Sequence, residues 1–197
     1  MRAFVGIGLP SPWREALAEC AARARDADPR WRDARWVPAE NLHITCVFLG
    51  DIAEATASPL LTGFGEALAD VSPFTLTLAD AVVGAPRQRS PRMLWATFRD
   101  PSGTGGRAVS ALEEVASIYG IETEDRPFRP HVTLARARRP RPFGGLPEGV
   151  TAAVLAAHLP EGPPYAMSVG EVTLYASTLT KSGAVYERIA DIPLGGR

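Results

Sequence analysis

The sequence has little of what several protein classes require. It carries only two cysteines, Cys20 and Cys46, in 197 residues. Their spacing suits neither a disulfide framework nor a metal or redox site, so both are expected to be reduced and structural. No stretch approaches the roughly 18 consecutive apolar residues that span a bilayer, and Met1 to Pro10 lacks the basic region and cleavage site of a secretory signal. A soluble, cytoplasmic protein is expected. Lysine is almost missing: Lys181 stands against 20 arginines, and the net charge is −1. That balance leaves no general basic excess for non-specific binding along a nucleic-acid backbone. Histidine is scarce too, with three in the chain.

What is present is a chain with 46% hydrophobic residues, enough to bury one large core or two small lobes. Positive charge is concentrated locally. Six arginines, 126, 129, 136, 138, 139 and 141, fall in one stretch that holds no acid. A solvated loop would account for such a run as well, but its position beside His131 favours a role toward an anionic substrate.

Periodicity divides the chain into mixed elements. Arg2 to Leu9 alternates as a strand, and Ser11-Pro12 opens a helix to about Arg25, with Ser11 as its cap. Asn41 to Leu49 is a β-rich run closed by Gly50-Asp51. Pro59 to Asp70 suits a short helix weakened by Gly63 and Gly65. Phe74 to Ala79 and Met93 to Phe98 read as strands. Val109, Leu112, Val115, Ala116 and Tyr119 lie at helical spacing before a terminating Gly120. His131 to Ala135 is a strand, and the Pro- and Gly-rich stretch from Arg138 to Pro164 surrounds a short Ala-rich helix. Two closing strands follow, Ala166 to Ala176 and Ala184 to Ile192, flanking a Lys181-Ser182-Gly183 turn. The order lacks the strict alternation of a doubly wound sheet, so an α+β fold with antiparallel sheets is expected.

Two of the three histidines occur in one repeated pattern: His43-Ile44-Thr45-Cys46 and His131-Val132-Thr133-Leu134. In a strand, His43 and Thr45 point one way and Leu42, Ile44, Cys46 and Phe48 the other; His131 and Thr133 oppose Val132 and Leu134 in the same manner. One such motif arises easily by chance, whereas two suit paired strands lining a polar cleft. His43 and His131 lie 88 residues apart, near half the chain, as two lobes facing across a pseudo-twofold axis would place them. With an unperturbed pKa of about 6.5, one imidazole can deprotonate water while the other protonates a leaving oxygen. Thr45 and Thr133 can donate to non-bridging phosphate oxygens. The chemistry suited is phosphoryl transfer without a metal or other cofactor. His158, with no threonine two residues on, reads as a satisfied structural histidine. Trp36 and Trp95 read as core or wall residues in preference to base-stacking platforms.

The stretches Arg35-Trp-Val-Pro-Ala-Glu-Asn-Leu-His-Ile-Thr-Cys-Val-Phe-Leu-Gly50 and Arg126-Pro-Phe-Arg-Pro-His-Val-Thr-Leu-Ala-Arg136 resemble the two signature motifs of the LigT-like two-histidine phosphoesterases. Within that family the chain is similar to the RNA 2′,3′-cyclic phosphodiesterase branch, also called ThpR or 2′-5′ RNA ligase. Weaker matches run through Arg2-Ala-Phe-Val, Pro73-Phe-Thr-Leu, Pro91 to Trp95 and the closing segment Leu174 to Leu194. The resemblance implies one bilobal domain over residues 1–197, with a cleft between two antiparallel sheets and helices outside. It implies hydrolysis of a terminal RNA 2′,3′-cyclic phosphate to a 2′-phosphomonoester. His43 would then be the proton donor to the 3′ oxygen and His131 the acceptor that activates water. Thr45 and Thr133 would bind phosphate, and Arg126, Arg129 and Arg136 would form an anionic-substrate rim. RNA ends, tRNA fragments among them, would be the partners, with no obligate protein partner and no membrane. Two alternatives stay open: a 2′,5′-phosphodiesterase, reversible ligase or other cyclic-nucleotide phosphodiesterase using the same site, and a non-catalytic RNA-end binding module.

Overall fold

The computed structural model describes residues 1–85, 90–123, 126–159, 161–181 and 183–195. In chain order the elements are β1 (Arg2–Gly8), α1 (Ser11–Ala27), β2 (Arg35–Trp36), β3 (His43–Asp51), α2 (Glu54–Leu68), β4 (Phe74–Ala85), β5 (Met93–Arg99), α3 (Thr104–Ile118), β6 (His131–Arg136), α4 (Val150–His158), β7 (Ala166–Val169), β8 (Glu171–Leu179) and β9 (Ala184–Pro193). Short 3-10 turns cover Pro29–Trp31 and Ala39–Asn41. Among the described residues no helix is long and apolar enough to cross a membrane.

Among the described residues the expected antiparallel sheets are two halves of one nine-stranded sheet, ordered β7-β4-β5-β6-β3-β1-β8-β9 with β2 against β6. The halves meet where β6 runs antiparallel to β3, at the pair Ile44 and Val132, both fully buried. Helices cover the face to which these two side chains point. Trp13, Ala16, Leu17, Cys20, Ala21 and Ala24 form the buried stripe of α1, at the three-and-four spacing of an amphipathic helix. Leu60, Phe64 and Leu68 do the same for α2, and Ala108, Val109, Leu112 and Ala116 for α3.

Each half runs strand, helix, strand, helix: β1-α1-β3-α2 and β5-α3-β6-α4. The register shows how closely they correspond. Gly8 pairs with His43 and Gly6 with Thr45, after which the ladder slips and Val5 pairs with Val47 and Phe4 with Phe48. In the other half Thr97 pairs with His131 and Trp95 with Thr133, and after the same slip Leu94 pairs with Ala135 and Met93 with Arg136. A β-bulge therefore skips Cys46 in one half and Leu134 in the other.

The bulge corrects one expectation. Simple alternation puts Phe48 in the core with Cys46, but the extra residue turns Cys46 and Val47 the same way and shifts the phase beyond them. Val47 and Leu49 are buried, and Phe48 is 53% exposed.

Other boundaries move as well. The single expected strand Ala166 to Ala176 is broken at Gly170, which sends β7 to one end of the sheet and β8 to the other half; the core-facing residues change phase across the break, from Met167 and Val169 to Val172 and Leu174. Helix α2 starts at Glu54 and carries Pro59 within it. Helix α1 has Pro10 at its cap position, while the Ser11 hydroxyl accepts from Arg14 Nη2 at 3.0 Å. Of the expected 181–183 turn, Ser182 lies outside the described residues; Thr180 and Gly183 close it with backbone bonds of 2.8 and 3.2 Å.

Ile44 sits at the junction of the halves without solvent contact, so Ile44→Ala is expected to lower unfolding stability by about 2–5 kcal/mol. Urea denaturation followed by tryptophan fluorescence measures it, and a loss below about 1 kcal/mol would mean that the junction does not hold the halves together.

Candidate active site

The β3–β6 pair determines which side chains share the cleft. Paired residues in an antiparallel ladder face the same side, so Ile44 and Val132 both point into the helix-covered core and their neighbours point away from it. Extending that register by one residue either way sets His43 across from Thr133 and Thr45 across from His131. All four are half-buried. The structure thus brings together the four residues of the repeated motif.

Each imidazole is oriented by a carbonyl two residues back. His43 Nδ1 lies 2.8 Å from the Asn41 carbonyl and His131 Nδ1 lies 2.8 Å from the Arg129 carbonyl. A carbonyl can only accept, so in both rings Nδ1 carries the proton and Nε2 presents its lone pair when the ring is neutral. His43 Nε2 is 3.0 Å from Thr45 Oγ1, which donates to it in that state. Among the described residues no corresponding bond joins His131 Nε2 to Thr133.

Aromatic rings fix the other faces. Phe4 lies against His43 with centroids 4.7 Å apart, and Tyr186 meets the same imidazole edge-on at 5.1 Å. Trp95 stacks on His131 at 3.8 Å, so it is a wall of the site, as expected of it. The two platforms differ because Gly6 occupies the register position that Trp95 has in the other half. A Cβ on Gly6 would lie 2.9 Å from the Ile44 carbonyl oxygen and 3.4 Å from His43 Cδ2, so its bareness lets Phe4 lean onto the ring.

Burial lowers the pKa of both imidazoles. Bonds to the Asn41 and Arg129 carbonyls oppose the shift, and the positive charge of Arg136 adds to it. The charge of His131 also lowers His43, as two groups facing one cleft would act. In the unliganded protein burial thus favours the neutral form of both rings, whereas a neighbouring anion favours the imidazolium.

The arginine run divides by position. Arg136, across from Met93, is exposed at the cleft and acts on both histidines. Arg129 contributes its backbone carbonyl while its side chain, like that of Arg126, is exposed. Arg141 serves the fold, bonding Asp33 and the Arg30 carbonyl with its guanidinium 5.9 Å from the Trp31 ring. His158 links α4 to α1 through Glu19 at 3.0 Å, in keeping with its structural reading. Trp36 donates to the Trp31 carbonyl at 3.0 Å. Neither cysteine is in a disulfide, and burial pushes the Cys20 thiol up to about 11 and the Cys46 thiol up to about 12, leaving both protonated and unreactive. Among the described residues no group of three or more His, Cys, Asp or Glu side chains is placed to hold a metal ion. Sequence reasoning missed Phe4 and Tyr186, which come from β1 and β9 and carry no local motif.

A cleft built on two oriented imidazoles and two threonines holds groups able to exchange protons and bind an anion, and comparison with known proteins supplies its family. The family model LigT like Phosphoesterase matches residues 7–95 and 101–186, and the chain belongs to that family. The RNA 2′,3′-cyclic phosphodiesterase of Escherichia coli (strain K12) is 31% identical over 94% of this chain and 92% of its own length. A protein of that name from Geobacillus stearothermophilus is 29% identical over 98% of this chain, which spans only 57% of that relative's length. Among solved structures, Escherichia coli LigT complexed with 3′-AMP superposes with a TM-score of 0.70 at 27% identity, covering 98% of this chain and 97% of that one.

The lowered imidazole pKa values carry a stability consequence. Below about pH 6.5 the unfolded chain takes up protons that buried His43 and His131 refuse, so their contribution is intact above that pH and is lost as pH falls toward the folded values. The urea midpoint of the free protein should fall between pH 7.5 and 5.5, and the fall should be shallower in the His43→Asn, His131→Asn double variant. Equal slopes in the two proteins would show that these rings titrate as if exposed.

Proposed function

We propose that the chain hydrolyses terminal RNA 2′,3′-cyclic phosphates to 2′-phosphomonoesters by metal-independent acid/base catalysis at His43 and His131. The observation that carries this reading is the pair of imidazoles on one cleft face, each with Nδ1–H tied to a carbonyl and Nε2 left to exchange a proton. The names of the Escherichia coli and Geobacillus relatives support the substrate class, and the 3′-AMP held by the structural neighbour supports a nucleotide end. The acting unit is the whole chain, residues 1–197, as a single bilobal domain with its motifs at 43–45 and 131–133. RNA fragments in the cytoplasm, tRNA pieces included, are the proposed substrates, with no protein partner required.

In this mechanism the cyclic phosphate lies between the motifs. His131 Nε2 takes a proton from water as the water oxygen bonds to phosphorus. The P–O3′ bond breaks on the opposite side, and protonated His43 delivers its Nε2 proton to that oxygen. The 2′ ester is retained. Thr45 and Thr133 hydroxyls donate to the non-bridging oxygens, and Arg136, with Arg126 and Arg129 further out, offsets the anion's charge. The phosphate raises the His43 pKa from its depressed resting value, so the acid is charged by substrate binding. The assignment of donor to His43 follows the family resemblance.

Two measurements test the reading. Activity on an oligoribonucleotide with a 2′,3′-cyclic end should survive EDTA and yield only the 2′-phosphate; loss restored by a divalent ion would overturn the metal-free route, and turnover of 2′,5′-linked dinucleotides alone would replace the substrate. His43→Ala and His131→Ala should each lower kcat about 100-fold or more. An activated 3′ leaving group, which needs no protonation, should rescue His43→Ala only, and rescue of His131→Ala in its place would reverse the two roles.

A further inference from the structure

Beside His43, on the side away from the other imidazole's strand, a cavity of ≈170 Å³ opens among Gly8, His43, Tyr175, Arg14, Arg188 and Glu40. Its opening depends on Gly8, the register partner of His43. A Cβ there would stand 3.1 Å from Tyr175 Oη and 3.6 Å from Arg188 Nη1, so the phenol and the guanidinium meet over bare backbone. Arg188 is steadied from its other nitrogen, Nη2, by Asp191 at 2.6 Å, which leaves Nη1 turned to the cavity. Arg14 reaches in from the first turn of α1, and its one side-chain bond among the described residues is to the Ser11 hydroxyl. Two guanidiniums and a phenol face one lining carboxylate, Glu40, a lining that favours an anion with several acceptor oxygens.

In-line displacement determines what reaches this cavity. The attacking water and the leaving O3′ occupy opposite sides of phosphorus, so the ribose lies on the side of the proton donor. With His43 as donor, the terminal nucleoside sits against the His43 half, and the chain leaves it through its 5′ oxygen. We propose that this cavity seats the phosphate attached to that 5′ oxygen, held by Arg14, Arg188 and Tyr175 Oη, so that the site distinguishes a true RNA end from a cyclic nucleoside phosphate ending in a 5′ hydroxyl. The proposal rests on the reading of the active site given above and adds a direction: RNA runs out along β1, β8 and β9.

The test compares adenosine 2′,3′-cyclic phosphate bearing a 5′ phosphate with the same compound bearing a 5′ hydroxyl. The wild-type chain should show the higher kcat/KM on the first. Arg14→Ala and Arg188→Ala, on separate elements, should each reduce that ratio about 10-fold at low salt. A ratio unchanged in both variants, or no wild-type preference, overturns the subsite. A binding arm separates this from failure of the hydrolysis reading: calorimetry with adenosine 2′,5′-bisphosphate and adenosine 2′-monophosphate, neither of which turns over. Tighter binding of the bisphosphate, lost in the arginine variants, upholds the subsite even if no cyclic phosphate is cleaved. Equal binding of the two by the wild-type chain overturns it whatever the turnover.

Discussion

The contact between β3 and β6 governs the rest of this molecule. Through Ile44 and Val132 it joins two half-sheets whose helices also cross between them, α1 packing on β6 and α3 on β3. Burying those two side chains on one face leaves the other face no choice but to display His43, Thr45, His131 and Thr133. Core and site are thus two sides of one short piece of ladder, and the hydrophobic burial that stabilises the junction also positions the polar residues of the cleft.

Around that junction the two halves use different materials for the same task. Both imidazoles are held at Nδ1 by a carbonyl two residues earlier, a feature of the backbone alone, so the tautomer does not depend on any other side chain. Their faces are supported unlike each other: indole on His131, and phenylalanine with an edge-on tyrosine on His43. The His43 half then keeps two bare positions, Gly6 and Gly8, where the other half has Trp95 and Thr97. The halves match in backbone and differ in side-chain volume, which makes one side of the cleft roomier than the other. That difference leaves room for the nucleoside on the His43 side, where the proposed reading of His43 as donor puts it.

The repeated His-x-Thr pattern made the centre of the site legible from sequence, because period-two alternation and a half-chain separation state its geometry almost directly. The α+β class followed from element order. Phe48 was not legible, since a bulge leaves no composition signature and alternation then predicts the wrong face beyond it. The break at Gly170 shows only as a one-residue shift in the apolar alternation, from Met167 and Val169 to Val172 and Leu174, and that shift does not say that the strand changes partner. Phe4, Tyr186 and Arg188 belong to strands far apart in the chain, and only sheet order shows that they reach His43. The arginine run was visible as a cluster, but its division into a cleft residue, a carbonyl that accepts from His131 and a tether to Asp33 depends on tertiary placement.

The matched slip at Cys46 and Leu134 also bears on how this chain can change. Downstream of each slip, the faces of the strand are counted from the extra residue. Deleting the extra residue would close the bulge and leave Phe48 outward and Leu49 inward as they are, a loss or gain at another place in the strand would reverse every face beyond it, and an insertion in the glycine-rich connection after Arg138 would alter no such count. Length variation in this molecule is therefore confined to its connections and to the two slips, and elsewhere the strands that carry the histidines admit substitution but not a change in residue number.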